Sequence, residues 1–537
     1  MRLLSESFTP DKIKRLMIET TPAQFQRTGS PRTVYILLAV YFVLSALGLY
    51  RHELFLDEAH HFLIGRDSAT LSEVYYNARY DGHPRLWHAI LFLITHYITP
   101  NPIGMQVFQL LVATGAAWVF LRYAPFSLPA KAAILFGYYF IFEYSLLSRN
   151  YALGILFLFV CCHLLDDTRR NLLWIGLLLL MMCNTHVFYT FASACIFLIL
   201  FIDYARKRRL LTRHFILFTG LFLLGCACSL VQARVPTVDN VNLTPVHPEE
   251  WLSGKNFAFA GFGLIRGWLP VPQVSGGRFW NSYWLNEDHI GRWVRNFLFL
   301  FLLAFPSLLL RKSWRGLLFY YIGVLLLLVF FVVTQMSASR YFGMVFVFFI
   351  VAAWLSAEGS ADVFSFSSIP GSWETKIFFR LCIFFILGVQ IAIGVFAWEQ
   401  DFARPFSQSE NAARYVEGLL AGEKNGGGEK IVVDGYNAGP MLCAYLGGKV
   451  LYLATGKEGS FCVWKKSYFP VPRPDIGREI AGCDSLQSAD RFILVSNRQI
   501  AVDSVRSGHT AFRLTALRYF DHSITGENYY IYQATSL

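Results

Sequence analysis

The sequence predicts a polytopic α-helical membrane protein of about eleven transmembrane helices, followed by a C-terminal soluble α/β domain. Three observations carry that reading. The 537-residue chain is 55% hydrophobic and only 15% charged, where soluble domains carry about 25% charged residues, and its mean hydropathy is +0.42. Apolar runs long enough to cross a bilayer recur up to residue 398. Residues 401–537 then change to a polar pattern with short apolar runs. This composition excludes a disordered chain, a disulfide scaffold and a coiled coil.

The apolar runs fall, in order, at 34–50, 103–121, 130–147, 150–165, 214–231, 293–310, 315–334, 340–356 and 376–398. Leu172 to Ile202 is too long for one span, since as a helix it would reach roughly 46 Å against a hydrocarbon core of about 30 Å. Its polar centre Asn184-Thr185-His186 predicts a turn between two spans. Pro84 to Thr99 carries Arg85, His88 and His96 and reads as an interfacial helix.

Charge sets the expected orientation. The net charge of +11 concentrates in the N-terminal tail 1–33 and in the short connections Arg122 to Lys131, Arg169-Arg170, Arg206 to Arg213 and Arg311 to Arg315. Positive connections lie inside, so the tail is expected to be cytoplasmic and the charge is no sign of nucleic acid. The membrane domain, 34–400, then has external loops at 51–102 and 232–292, and the domain 401–537 lies outside. In that domain 430–434, 449–453, 491–495 and 528–532 read as strands, and 409–421 and 438–446 as helices. Gly426-Gly427-Gly428 is a turn and not a phosphate loop, because no Lys-Ser/Thr follows it. Most of the ten cysteines sit in apolar runs and act as small hydrophobes. Cys443, Cys462 and Cys483 in the tail show no metal-binding spacing.

The unusual polar residues gather at one boundary. Asp57-Glu58 follows the first span, Asp81-Gly82-His83-Pro84 opens the interfacial helix, and Ser148-Arg149-Asn150-Tyr151 joins two spans. His186 lies in the predicted turn, and Ser339-Arg340-Tyr341 precedes the 340–356 run. Ionisable groups at such a depth face a cavity or a partner. Each has a plainer reading: Asp57 as a helix cap, Arg149 and Arg340 as snorkelling anchors, His186 as a satisfied core histidine. His60-His61, beside the acidic pair, is weak metal-binding evidence by itself.

Taken in this order and on this side, the motifs resemble the GT-C superfamily of membrane glycosyltransferases, in its protein O-mannosyltransferase and aminoarabinose-transferase branch. The shared features are the Asp57-Glu58 pair, the Gly-His-Pro-x-Leu element Gly82 to Leu86, Arg149 with Tyr151, His186, and Arg340-Tyr341. The resemblance covers residues 34–356, and the α/β tail is similar to the external domain of several members. It departs where Arg85 replaces the second Pro of the frequent His-Pro-Pro-Leu, which adds a positive charge.

The resemblance implies transfer of a sugar from a polyprenyl-phosphate donor to a glycan, lipid or protein acceptor at the outer face of a bacterial inner membrane. Asp57 would be the general base. Glu58 would position the acceptor, support a metal or hold the loop. His83, Arg85, Arg149, Tyr151, His186, Arg340 and Tyr341 would bind the donor and its lipid phosphate. No cofactor is implied outright, and a divalent metal on Asp57 and Glu58 stays open. Adjacent carboxylates do not suit the opposed pair of a glycosidase, so one displacement would invert the anomeric carbon. Loop 232–292, with Trp251, Trp268, Trp280, Trp284 and Gly276-Gly277, is either a lid or an aromatic belt. The alternative function is a transporter or flippase for a lipid-linked or polar solute, which would place its charges near the bilayer midplane, usually within internal repeats. A non-catalytic scaffold is a third.

Overall fold

The computed structural model describes residues 30–241, 249, 253–275, 277–285, 287–357, 372–422, 429–469, 475–500, 504–507 and 510–537. Most of the basic tail, Trp251, Gly276 and Gly426 to Gly428 lie outside these residues. Among the described residues, nine helices are long and apolar enough to cross a membrane. Each is built from a run of Leu, Phe, Val and Ile without an interior proline, save Pro306 in Glu287–Leu310.

The expected spans are recovered with one difference. As the separate apolar runs at 150–165 and from Leu172 predict, Asn150–Cys183 is two helices that pack side by side, Asn150–Leu164 (α1) and Thr168–Cys183 (α2). Asp167 separates them, its side chain accepting from Arg170 N at 3.2 Å as an N-cap. The run 130–147 is not one helix. Leu128–Leu135 ends at Phe136, and a single π-turn follows over Tyr139–Glu143. The break has a cause: Glu143 is a carboxylate in an apolar run, and the π-turn lets it accept from Tyr138 Oη at 2.6 Å and Trp280 Nε1 at 3.0 Å. Here the backbone lies directly on Gly394 of the last span, where a Cβ would come within 2.9 Å of Phe136 O.

Ser339–Ser356 (α3) is buried on all sides, which explains why it is apolar all round. Within the segment 232–292, Gly254–Trp268 (α4) is a helix packed against α3 and against Trp314–Thr334. Gly267 allows the approach, since a Cβ there would lie 2.9 Å from Val345 Cβ. Trp268 is therefore core and not lid, its ring tilted against Phe349 with centroids 4.7 Å apart.

Between the first span, Pro31–Arg51, and Ile103–Tyr123 lie three short α-helices, of which Leu56–Asp67 (α5) and Leu86–Tyr97 (α6) pack on each other and Leu71–Asn77 joins them. At twelve residues, α6 is about 18 Å long, too short to cross. The C-terminal domain is a seven-stranded sheet in the order β3-β2-β1-β4-β7-β6-β5. Its strands are β1 Lys430–Val433, β2 Val450–Tyr452, β3 Lys457–Gly459, β4 Arg491–Ser496, β5 Ser504–Ser507, β6 Thr510–Phe520 and β7 Tyr529–Ser536. β2, β1 and β4 run parallel and the outer pairs antiparallel. Ala438–Leu446 (α7) links β1 to β2 and packs on α5. This seats the sheet domain over the helix that carries Asp57.

Candidate active site

Phe55, the N-cap residue of α5, is extended, so Asp57 and Glu58 fall in the first helical turn. Their side chains part company. Glu58 turns inward and is fully buried. Its Oε2 meets His52 Nε2 at 3.0 Å and Phe55 N at 3.2 Å, and its Oε1 accepts from Ser148 N. His52 Nδ1 continues the chain to Asp401 Oδ2 at 2.8 Å. Glu58 thus ties α5, the Ser148-Arg149 turn and the last span into one unit. Of the three roles open to it, holding the loop is the one its contacts serve.

Asp57 points the other way, into a cavity of about 390 Å³ lined also by His61, Asp81, His83, Arg149, Trp280, Arg340, Tyr341, Trp464 and Glu527. Arg340 Nη2 donates to Asp57 Oδ2 at 2.5 Å, and Arg149 Nη1 donates to the Asp57 carbonyl at 2.9 Å. Both guanidiniums are buried, and Arg149 Nε, Arg340 Nε and Arg340 Nη1 have no hydrogen-bond partner. The Arg340 charge is held in place by Phe55, Trp280 and Tyr341, whose rings lie 5.7, 5.7 and 5.2 Å away. Asn281 Oδ1 accepts from Ser339 N at 2.8 Å and Tyr283 Oη bonds Ser339 Oγ at 2.8 Å, pinning the start of α3. Burial by itself would raise the Asp57 carboxyl. The charges of Arg149 and Arg340, with His60 and His83 behind them, outweigh it and hold Asp57 below the usual carboxylate range.

His83 lines the same cavity because Gly82 turns the chain there with φ of 68°, a left-handed conformation that favours glycine. Burial, then the Arg149 charge, pushes the His83 imidazole down to about 4, so it is neutral at pH 7. Other predicted site residues lie off the cavity wall. His186 lies behind His83 with ring centroids 5.0 Å apart, and Tyr151 Oη lies 3.3 Å from His186 Nε2. These two support the wall from behind. Arg85 turns away: its Nη2 donates to Gln232 O at 3.2 Å and its guanidinium sits over Tyr75. The charge that replaces the second proline is thus spent outside the cavity.

Glu527 and Trp464 come from the C-terminal domain and had no local sequence signal. Glu527 Oε1 accepts from Leu56 N at 3.3 Å, while Oε2 is buried without a hydrogen-bond partner. Burial raises its carboxyl to about 7, more than its hydrogen bonds lower it. Trp464 lies over His60 at 5.3 Å. The site therefore joins an acidic acceptor, two cations with unspent donors and several aromatic faces, at the ends of apolar helices.

Comparison with known proteins adds little to this. No family model and no curated relative matches the chain. Among solved structures, it is similar to the crystal structure of ArnT from Cupriavidus metallidurans bound to undecaprenyl phosphate. The likeness covers 93% of this chain and 97% of that one, at 11% identity and a TM-score of 0.47.

Proposed function

We propose that this protein is an integral-membrane glycosyltransferase that moves a sugar from a polyprenyl-phosphate carrier to a hydroxyl or amine of a glycan, lipid or protein acceptor at the outer membrane face. The observation that carries the reading is the pair Arg149 and Arg340, buried with unspent N–H donors beside the cavity-facing Asp57, whose carboxylate Arg340 holds directly. Two such guanidiniums suit a phosphate that both binds and gains charge.

In the reaction, the acceptor gives its proton to Asp57 as its oxygen or nitrogen bonds to the anomeric carbon. The bond from that carbon to the phosphate oxygen breaks, and its electron pair stays on the carrier. The phosphate thereby goes from one negative charge to two, and Arg149 and Arg340 offset the increase. One displacement from the side opposite the phosphate inverts the anomeric carbon. Before the donor binds, Arg340 holds Asp57 as a weak base. A phosphate that draws Arg340 onto itself relieves that pairing and raises the basicity of Asp57, so donor binding and base activation are coupled. Trp280, Trp464 and Tyr341 offer ring faces for the sugar.

The test is mass spectrometry of envelope glycans and lipid-linked sugars from cells making the wild-type protein or Asp57→Asn. The variant is expected to remove one sugar mass from a glycan and to accumulate the matching carrier-linked sugar. An unchanged glycan profile with a stably inserted Asp57→Asn protein overturns the assignment.

A further inference from the structure

We infer that His61, Asp81 and His88 form a divalent-metal site in the wall of this cavity, with a zinc-type preference and a fourth position facing the cavity. Three atoms from three segments of the chain converge there: His61 Nδ1 on α5, Asp81 Oδ2 in the turn before Gly82, and His88 Nε2 on α6. They are separated by 2.5 Å between the two ring nitrogens, 3.2 Å from His88 to Asp81 and 3.8 Å from His61 to Asp81. A triangle with these sides has a circumradius of about 1.9 Å, so one point lies at a zinc–ligand distance of about 2.0–2.1 Å from all three atoms, just off their plane.

The hydrogen bonding points the same way. Asp81 Oδ1 accepts from His60 Nε2 at 3.1 Å, which fixes the carboxylate as an outer partner does for a metal ligand. Asp81 Oδ2 is buried and takes no hydrogen bond, although His88 Nε2 is 3.2 Å away. The two ring nitrogens can share only one proton between them, and a carboxylate oxygen beside them is then left unsatisfied. One cation satisfies all three. Two imidazoles and one carboxylate are borderline ligands that suit zinc and its first-row neighbours better than calcium or magnesium. His88 is fully enclosed, whereas His61 and Asp81 also line the cavity with Asp57, Arg149 and Arg340. The open position therefore faces that cavity, where it takes water or an anionic oxygen. The acidic pair is not this site, because Glu58 is spent on His52, Phe55 and Ser148.

The site requires only these three side chains and stands apart from the sugar-transfer reading. The test uses the full-length protein in detergent, stripped with chelator and titrated with cobalt(II), followed by displacement with zinc. One equivalent with the visible absorption of a four-coordinate cobalt(II) centre, displaced by zinc, is expected. His61→Ala, His88→Ala and Asp81→Asn should each weaken binding by about 10–100-fold or more, with His88→Gln as a second variant should truncation prevent folding. Asp57→Asn should keep the full equivalent. No stoichiometric metal in the wild type overturns the site, as does binding that survives loss of both histidines or depends on Asp57 instead. Failure of transfer with metal binding intact would count against the proposed reaction and not against the metal.

Discussion

Arg340 shows what the site sacrifices before a ligand arrives. Its Nε and Nη1 are buried without partners, and such a group costs about 1–3 kcal/mol. An entering phosphate removes that cost by accepting from the free edge. Arg340→Ala should therefore weaken binding of undecaprenyl phosphate by at least about 10-fold, consistent with a lost charged hydrogen bond of about 1.5–3 kcal/mol. Arg340→Lys should recover part of the loss, since it restores the charge without the fork. Equal affinity in the alanine variant, measured by native mass spectrometry, would remove the phosphate role. Glu527 gives the pH dependence. With its carboxyl raised to about 7, it is neutral below that pH and becomes an additional anion near Asp57 above it. Binding of a polyprenyl phosphodiester, whose own charge is constant over this range, should weaken as pH rises from about 6 to 8. Glu527→Gln should flatten the curve, and a wild-type affinity independent of pH would show that Glu527 does not sense the ligand.

Among elements, the chain His52, Glu58 and Asp401 matters most, because it joins the first span, α5 and the last span through buried contacts. Glu58→Ala leaves His52 Nε2, Phe55 N and Ser148 N without their acceptor. Breaking a buried charged pair costs about 3–5 kcal/mol, so a clear fall in thermal stability is expected, together with weaker donor binding as the Arg149 turn loosens. A melting temperature equal to wild type would show that the contact is not structural. This is where sequence reading reaches its limit. Asp57, Arg149 and Arg340 were legible because charge at the end of an apolar run is costly and so conspicuous. That Asp57 and Glu58 point in opposite directions was not, since it depends on a partner more than 300 residues away at Asp401. The spans were legible from apolar length. The helix Gly254–Trp268 was not, because its glycines read as loop until α3 is there to receive them. Strand β6 was missed because Ala, Arg and Leu favour helix locally, and only pairing with β7 makes it a strand.

At the scale of the whole molecule, the C-terminal domain forms part of the candidate site and is not an appendage. Leu54, three residues before Asp57, has both backbone groups spent on it: N donates to Tyr445 Oη at 2.9 Å, and O accepts from Ser409 Oγ at 3.1 Å. Arg66 at the far end of α5 donates to Cys443 O at 3.1 Å, and Val241 N donates to Trp464 O at 3.2 Å. The helix bearing Asp57 is thus held between membrane helices and sheet domain, and the same domain supplies Glu527 and Trp464 to the cavity. Loosening the seat should move Asp57 without touching it. In the double variant Ser409→Ala, Tyr445→Phe, the two lost hydrogen bonds are worth about 1–3 kcal/mol together. Hydrogen exchange is expected to rise along 54–67 while 324–331, in the core of a distant span, stays protected. Transfer should fall several-fold with little change in the affinity for undecaprenyl phosphate, because the arginines are anchored by membrane helices. Unchanged exchange at 54–67 would mean that the membrane domain alone fixes Asp57, and the C-terminal domain would then contribute only its two side chains.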